Sequence, residues 1–372
     1  MLPTILLVFK KRINTVSDMK SKVTFPKETD SFLLEVNKKV QEYFIKNNIS
    51  KQGNSKIIYK YFLLKFVLIV NYVLILNTEN LYLTLLLFSF LGPIFIILAI
   101  NIAHDAIHGV ANSNKTINRF LRYQMDLVGA NSFAWKRRHK IGHHSFPNIL
   151  SKDPDLRQTK IVRIFPNAPK LFLHRFQHIY VPILYSIYTI NWIFIRDFYD
   201  FFSRKSIIGK IPYKEFLKLF IFKAIYISII FVIPFHYSSL SFSQVILGNF
   251  LMHAFASYFL TIALVPSHVS ENSIFPLPNK EGVMPYSWSH HQVITTSDFA
   301  TKNSVITWFL GGFNHHIAHH LFPAISHIHY SKITPIIKKT ILEYGLPYKH
   351  VDSLFQAYKS HYLLLKNNGK KE

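Results

Sequence analysis

Residues 81–103 read LYLTLLLFSFLGPIFIILAINIA and run without a break into His104-Asp-Ala-Ile-His108. A hydrocarbon core about 30 Å thick takes about 20 helical residues. This run is therefore long enough to cross a membrane and to deliver two histidines at its far end. Just upstream, residues 61–76 (YFLLKFVLIVNYVLIL) form a second apolar run, separated from the first only by Asn77–Asn80. The pair reads as a transmembrane hairpin, with Lys65 placed to snorkel and Gly92-Pro93 predicting a kink. Further apolar runs occupy 178–195, 216–237 and 243–266. The last two are joined by the short turn Ser238–Phe242 and read as a second hairpin.

Charge decides how these runs are arranged. The linker 109–177 carries 13 Lys/Arg against 3 acids and residues 1–60 carry 12 against 5, whereas the turns 77–80 and 238–242 have no Lys or Arg. The positive-inside rule places both termini and the linker in the cytosol. If His144 and His268 face one another there, an even number of spans must separate them. Two hairpins satisfy this and leave 178–195, which holds Pro182 and Asn191 and ends at Arg196-Asp197, in the interface. The expected fold is all-α and integral to the membrane: four transmembrane helices as two hairpins, plus interfacial helices and a cytosolic His-rich cap. Its expected divisions are a cytosolic amphipathic segment (1–60), a membrane domain (61–324) and a cytosolic tail (325–372). Within the first, Phe32, Leu33, Val36, Val40 and Phe44 recur at helical spacing, on a face that packs on the fold or on the membrane. The start MLPTILLVFKKRINTV carries its basic residues after the apolar run, the reverse of a secretory signal.

Composition excludes whole classes of function. The 372 residues hold 43 Lys+Arg against 19 Asp+Glu, for a net charge of +24, and no cysteine. Disulfide scaffolds, thiolate nucleophiles and cysteine-ligated zinc or iron–sulfur centres are out. Basic residues flanking membrane spans account for the charge, so no nucleic-acid partner is expected.

The chemistry lies in the histidines. None precedes His104, five lie between 104 and 144, and nine lie between 268 and 329, out of 20. They form three clusters: His104 and His108; His139, His143 and His144; and His316, His319 and His320. His268 closes Ala263-Leu-Val-Pro-Ser-His268 as a ninth candidate. Spacing of i, i+4 puts two imidazoles on one helix face, where they can chelate an ion. Clustered imidazoles repel when protonated and lose solvation when buried; a shared metal offsets that cost. Eight or nine of them exceed one tetrahedral zinc and suit two ions with open positions. Imidazole suits iron, copper and zinc alike, but an apolar protein with metals at a membrane face and no nucleophilic cysteine points to oxidation of a lipid chain, which two Fe(II) ions with O2 could perform and redox-inert zinc could not. A metal transporter or sensor is the alternative from another class. It calls for charged residues inside the spans, and 81–103 and 243–266 hold no acidic residue.

The three boxes resemble those of the membrane fatty-acid desaturases: HxxxH, HxxxHH and HxxHH. Similarity extends to Lys22-Val-Thr-Phe, Asp126-Leu-Val-Gly-Ala-Asn-Ser, Trp135-Lys, His143-His-Ser-Phe-Pro-Asn-Ile, His291-Gln-Val-Ile-Thr-Thr-Ser-Asp-Phe and Asn314-His-His-Ile-Ala-His-His-Leu-Phe-Pro. These segments look like a bacterial branch of linoleoyl-CoA or front-end-type desaturases, which implies a multi-pass protein of the bacterial inner membrane. The resemblance implies eight iron ligands in the boxes plus His268, with O2 as co-substrate and a cis double bond placed in an acyl-CoA or acyl-lipid. A lipid hydroxylase or carotenoid oxygenase on the same boxes is the rival. Asp105, Glu271, Asn314 and His291 are candidates to hold ligand rings, while Asp153-Pro-Asp155 reads first as a polar turn. No haem-binding HPGG motif precedes the boxes and His316 stands where front-end members often have Gln. Electrons are then expected from a separate carrier, a ferredoxin, rubredoxin or cytochrome b5, drawn by Lys136, Arg137, Arg138 and Lys140.

Overall fold

The computed structural model describes residues 23–203 and 208–370. The N-terminal apolar run and Lys22 lie outside the described residues. Five helices are long and apolar enough to cross a membrane: Ser55–Asn77, Leu81–His108, Phe172–Phe202, Tyr213–Tyr237 and Phe242–His268. Their starts are fixed by side-chain caps. Asn54 accepts the amide of Lys56, Asn80 accepts that of Leu83, and Ser241 with Gln244 forms a capping box.

Leu81–His108 and Phe242–His268 are the inner pair, cross closely, and end together at the histidines. Gly92 makes the crossing possible: a Cβ there would lie 2.0 Å from the Met252 carbonyl oxygen. Buried amides tie the helices where water is absent. Asn71 donates to Leu87 O at 3.1 Å within the first hairpin, and Asn249 to Ile230 O at 2.6 Å within the second. Tyr72 joins the two hairpins by donating to Ile229 O at 2.6 Å.

The 178–195 run is longer than its hydropathy suggested and is broken. It spans 31 residues, Phe172–Phe202, in short helical pieces, one of them containing Pro182, interrupted by a 3₁₀ turn at Tyr185–Ile187 and by a π turn at Trp192–Arg196. Its first end lies at the histidine side, where Gln177 donates to Leu365 O at 2.8 Å. Its other end returns there too, Asp200 pairing with Arg138 and with Arg157 at 2.8 Å. In between, Thr189 reaches Ser257 Oγ at 2.8 Å, about three turns back along Phe242–His268.

The flanking segments dock around the third box. Phe32, Val36, Val40 and Phe44, on Ser31–Lys46, are buried against Ile333, Ile337 and Ile341 of Tyr330–Glu343 and against Ile317 and Leu321. Of the two faces open to this amphipathic helix, the fold takes it. Leu354–Lys370 lies along Phe242–His268, with His361 Nδ1 2.7 Å from Val269 O. The two strands among the described residues, Asp298–Phe299 and His350–Val351, pair in parallel and carry the chain into the third box.

Candidate metal centre

The first two histidine boxes are set by local departures from the plain α-helix. The π turn Ala99–Ala103 precedes His104, and the π turn Arg138–His143 contains most of the second box. In the latter His144 N donates to His139 O at 2.9 Å, an i→i+5 bond. That wider turn brings His144 back over His139, leaving their Nε2 atoms 3.0 Å apart. Asp298 caps the third box, helix His316–Leu321, by accepting Ile317 N at 2.9 Å and Tyr348 OH at 2.8 Å. Burial pushes the Asp298 carboxyl up to about 7.

Nine histidines converge from these elements. His104, His108, His139 and His319 form one group and His143, His268, His316 and His320 a second, with ligand nitrogens in each group within 4.8 Å of one another. His144 sits between them, its ring 4.6 Å from those of both His319 and His320. The close Nε2 pairs include His268 to His316 at 2.8 Å and His104 to His139 at 3.4 Å. All are buried except His108, which is half-buried.

The donor set fits metal ions. Facing imidazole nitrogens at these distances share too few protons to satisfy one another, while metal–nitrogen bonds near ~2.1 Å bring ligand nitrogens to about this spacing. His104 Nδ1, both nitrogens of His108 and His144 Nδ1 are buried with no hydrogen-bond partner. Burial and the neighbouring imidazoles hold His139, His144, His319 and His320 well below the ordinary histidine range, and His316 at about 3. Neutral imidazole is the form that binds a cation. For His143 burial acts in the same sense, but Asp153 outweighs it and holds the ring above its ordinary value.

Polar partners orient the rings from outside. Asp153 meets His143 Nδ1 at 3.0 Å and Asp155 meets His139 Nδ1 at 3.1 Å. Gln292 Oε1 lies 2.8 Å from His320 Nδ1, Tyr330 OH 3.2 Å from His319 Nδ1, and Thr295 O 3.2 Å from His268 Nδ1. The Asp153-Pro-Asp155 turn is thus present, and its carboxylates point back at the box it follows. That proximity was the available signal.

The four residues considered for this bracing are placed differently. Asp105 accepts from Ser326 Oγ at 2.6 Å and binds His327 Nδ1 at 2.9 Å, while its Oδ1 stands 3.8 Å from His104. Its short side chain points off the back of the helix. His291 Nε2 lies 2.8 Å from Pro147 O, so it steadies the loop after the second box instead of a ligand ring. Asn314 donates to Ala300 O at 3.3 Å and Thr307 Oγ1 at 2.9 Å. Glu271 is exposed, with Asn367 3.4 Å from its carboxylate, because the chain turns outward after His268. Arg138 is not free to attract a carrier, being fully buried in its pair with Asp200, and Arg137 donates to Lys210 O at 3.1 Å; Lys136 and Lys140 stay exposed.

A narrow apolar space adjoins the histidines. One cavity of about 150 Å³ is bounded by His139, His143, His268 and His316. A smaller one of about 40 Å³ reaches His104, Ile100 and Met125. Trp135, Trp192, Leu260, Leu264 and Phe313 line both.

Comparison with known proteins agrees with this arrangement. Residues 80–352 match the model of the family described as fatty acid desaturase. An acyl-lipid (8-3)-desaturase of Physcomitrium patens is 31% identical over 349 residues, 92% of this chain and 72% of that protein. An sn-1 linoleoyl-lipid 6-desaturase of Synechocystis sp. is 31% identical over 343 residues, covering 90% and 94%. A probable Delta(5) fatty acid desaturase of Dictyostelium discoideum is 32% identical over 372 residues, covering 95% and 79%. The chain belongs to the fatty acid desaturase family. It is a fatty acyl desaturase, an oxidoreductase that introduces a double bond into acyl lipids.

Proposed function

We propose that this desaturase acts on an acyl chain carried by a membrane lipid, with two iron ions and O2, and forms a cis double bond. The convergence of two four-histidine groups beside one narrow apolar cavity carries this reading. The relatives' names, acyl-lipid and linoleoyl-lipid desaturases, support a lipid carrier over a CoA thioester. Overall, two neighbouring methylenes, O2, two electrons and two protons give one alkene and two waters.

His104, His108, His139 and His319 would hold one ion and His143, His268, His316 and His320 the other, with His144 between. When bound, the irons supply the reduction of O2 and the oxidising power to take hydrogen from an unactivated methylene. The chain supplies position. Trp135, Trp192, Leu260, Leu264 and Phe313 clasp the acyl chain beside the rings of both groups and exclude water. Asp153, Asp155, Gln292 and Tyr330 keep the rings from turning away. These 372 residues hold no cysteine to ligate an iron–sulfur centre, which supports electron delivery by a carrier outside them.

Four crossings, with the histidines on the cytosolic side, fit this site best. The helix ends at His108 and His268 share one centre, so an even number of crossings separates them. Tyr213–Tyr237 and Phe242–His268 provide two, and Phe172–Phe202 dips in and returns. The bias of Lys and Arg to the linker supports the orientation.

The test is expression in a host with a reducing partner, followed by mass spectrometry of its fatty acids. A new double bond, absent with His143→Ala or His319→Ala, is expected. A hydroxylated product, or activity retained in both variants, contradicts the proposal.

A further inference from the structure

We propose that a groove at the start of the Ser55–Asn77 helix binds the phosphate headgroup of an anionic membrane lipid. It is separate from the acyl cavity, and the inference does not depend on which bond the enzyme oxidises. The groove has a volume of about 850 Å³. Lys56, Lys60 and Lys302 line it together with the hydroxyls of Thr301, Ser304 and Ser331, and no acidic residue lines it among the described residues. Lys56 and Lys302 are exposed and enter no ion pair among the described residues. His327 forms part of the wall, its Nδ1 held by Asp105 and its Nε2 without a partner among the described residues.

The other wall is apolar and exposed. Tyr59 and Leu63, 75% and 50% exposed, continue into Phe62, Phe66 and Ile69 on the outer side of the same helix. Lys60 lies over the Trp308 ring at 4.3 Å and donates to Trp308 O and to Asn101 Oδ1. Cations and hydroxyls at the mouth of a membrane-crossing helix, above an exposed apolar strip, match a phosphodiester with its acyl chains below. A soluble acidic protein would meet the cations but could not reach the strip, which favours a lipid.

The groove and the acyl cavity use different faces of Leu81–His108. Ile96, Ile100 and His104 face the cavity, whereas Asn101 and Asp105 bind Lys60 and His327 of the groove. A lipid here is therefore an accessory ligand that steadies the helix bearing the first box, not the chain being oxidised.

The test uses purified, iron-loaded full-length enzyme equilibrated with phosphatidylglycerol or phosphatidylcholine vesicles, with retained lipid counted by native mass spectrometry. Phosphatidylglycerol should be retained and phosphatidylcholine lost. Lys56→Gln with Lys302→Gln should weaken retention about 25-fold, about fivefold for each lysine, and Ser304→Glu should weaken it too. Lys338→Gln with Lys339→Gln, exposed lysines outside the groove, should not. Equal retention of both lipids, unchanged retention in the groove variants, or equally tight binding of soluble glycerol phosphate overturns the proposal. So does an unchanged lipid count accompanied by a raised KM for an acidic electron carrier, which would assign the groove to protein docking.

Discussion

The two histidine groups are built alike in number and differ in how they are held. In the second, every ring has an outer partner: Asp153 for His143, Thr295 O for His268, Phe313 O for His316 and Gln292 for His320. In the first, His139 has Asp155 and His319 has Tyr330, but the Nδ1 atoms of His104 and His108 have none. Those two rings are aimed by their own helix, through the π turn Ala99–Ala103 and the packing of His104 against Trp135 and Phe313. One group is oriented by side-chain chemistry, the other largely by backbone. Substitutions in the outer partners should therefore fall harder on the second group.

The largest effect belongs to the shared requirement. His320→Ala and His108→Ala should each lower product to background and reduce bound iron, since each removes a ligand; activity surviving either would break the symmetry of the two groups. Next comes Asp153→Ala. Asp153 also accepts the amides of Asn148, at 3.0 Å, and Asp155, at 2.9 Å, so its loss frees His143 and loosens the loop together. Iron affinity should fall by the upper end of the 10–100-fold range for outer partners, about 100-fold, measured by competition with a chelator. Gln292→Ala should cost about tenfold in the same assay. Tyr330→Phe should cost less, because its phenol stands 3.2 Å from His319, against 2.8 Å for Gln292 and His320. A Tyr330→Phe loss larger than that of Gln292→Ala would reverse the comparison. Glu271→Gln should change nothing measurable in iron content or rate, its carboxylate being exposed and away from both groups.

The histidines that converge were legible in the sequence because helical spacing and adjacency are local properties, and a box is readable within six residues. The bracing was not. Gln292 meets His320 and Tyr330 meets His319 across loops whose closure no periodicity reports. Asp105, Asn314 and Glu271 were considered for their nearness in sequence to ligands, but helix geometry turns the first off the back face and the chain path carries the last outward. Among the spans, the two hairpins followed from run length and turn composition. The breaks within Phe172–Phe202 did not, since hydropathy says nothing of the bonds from Thr189 to Ser257 or from Asp200 to Arg138 that hold its middle and its end.

Metal analysis of the purified chain tests the two-group arrangement most directly. Two irons per chain are expected, falling to about one in His268→Ala, which leaves the four ligands of the first group in place. A single metal per chain, zinc in place of iron in active enzyme, or two irons retained in His268→Ala would contradict it.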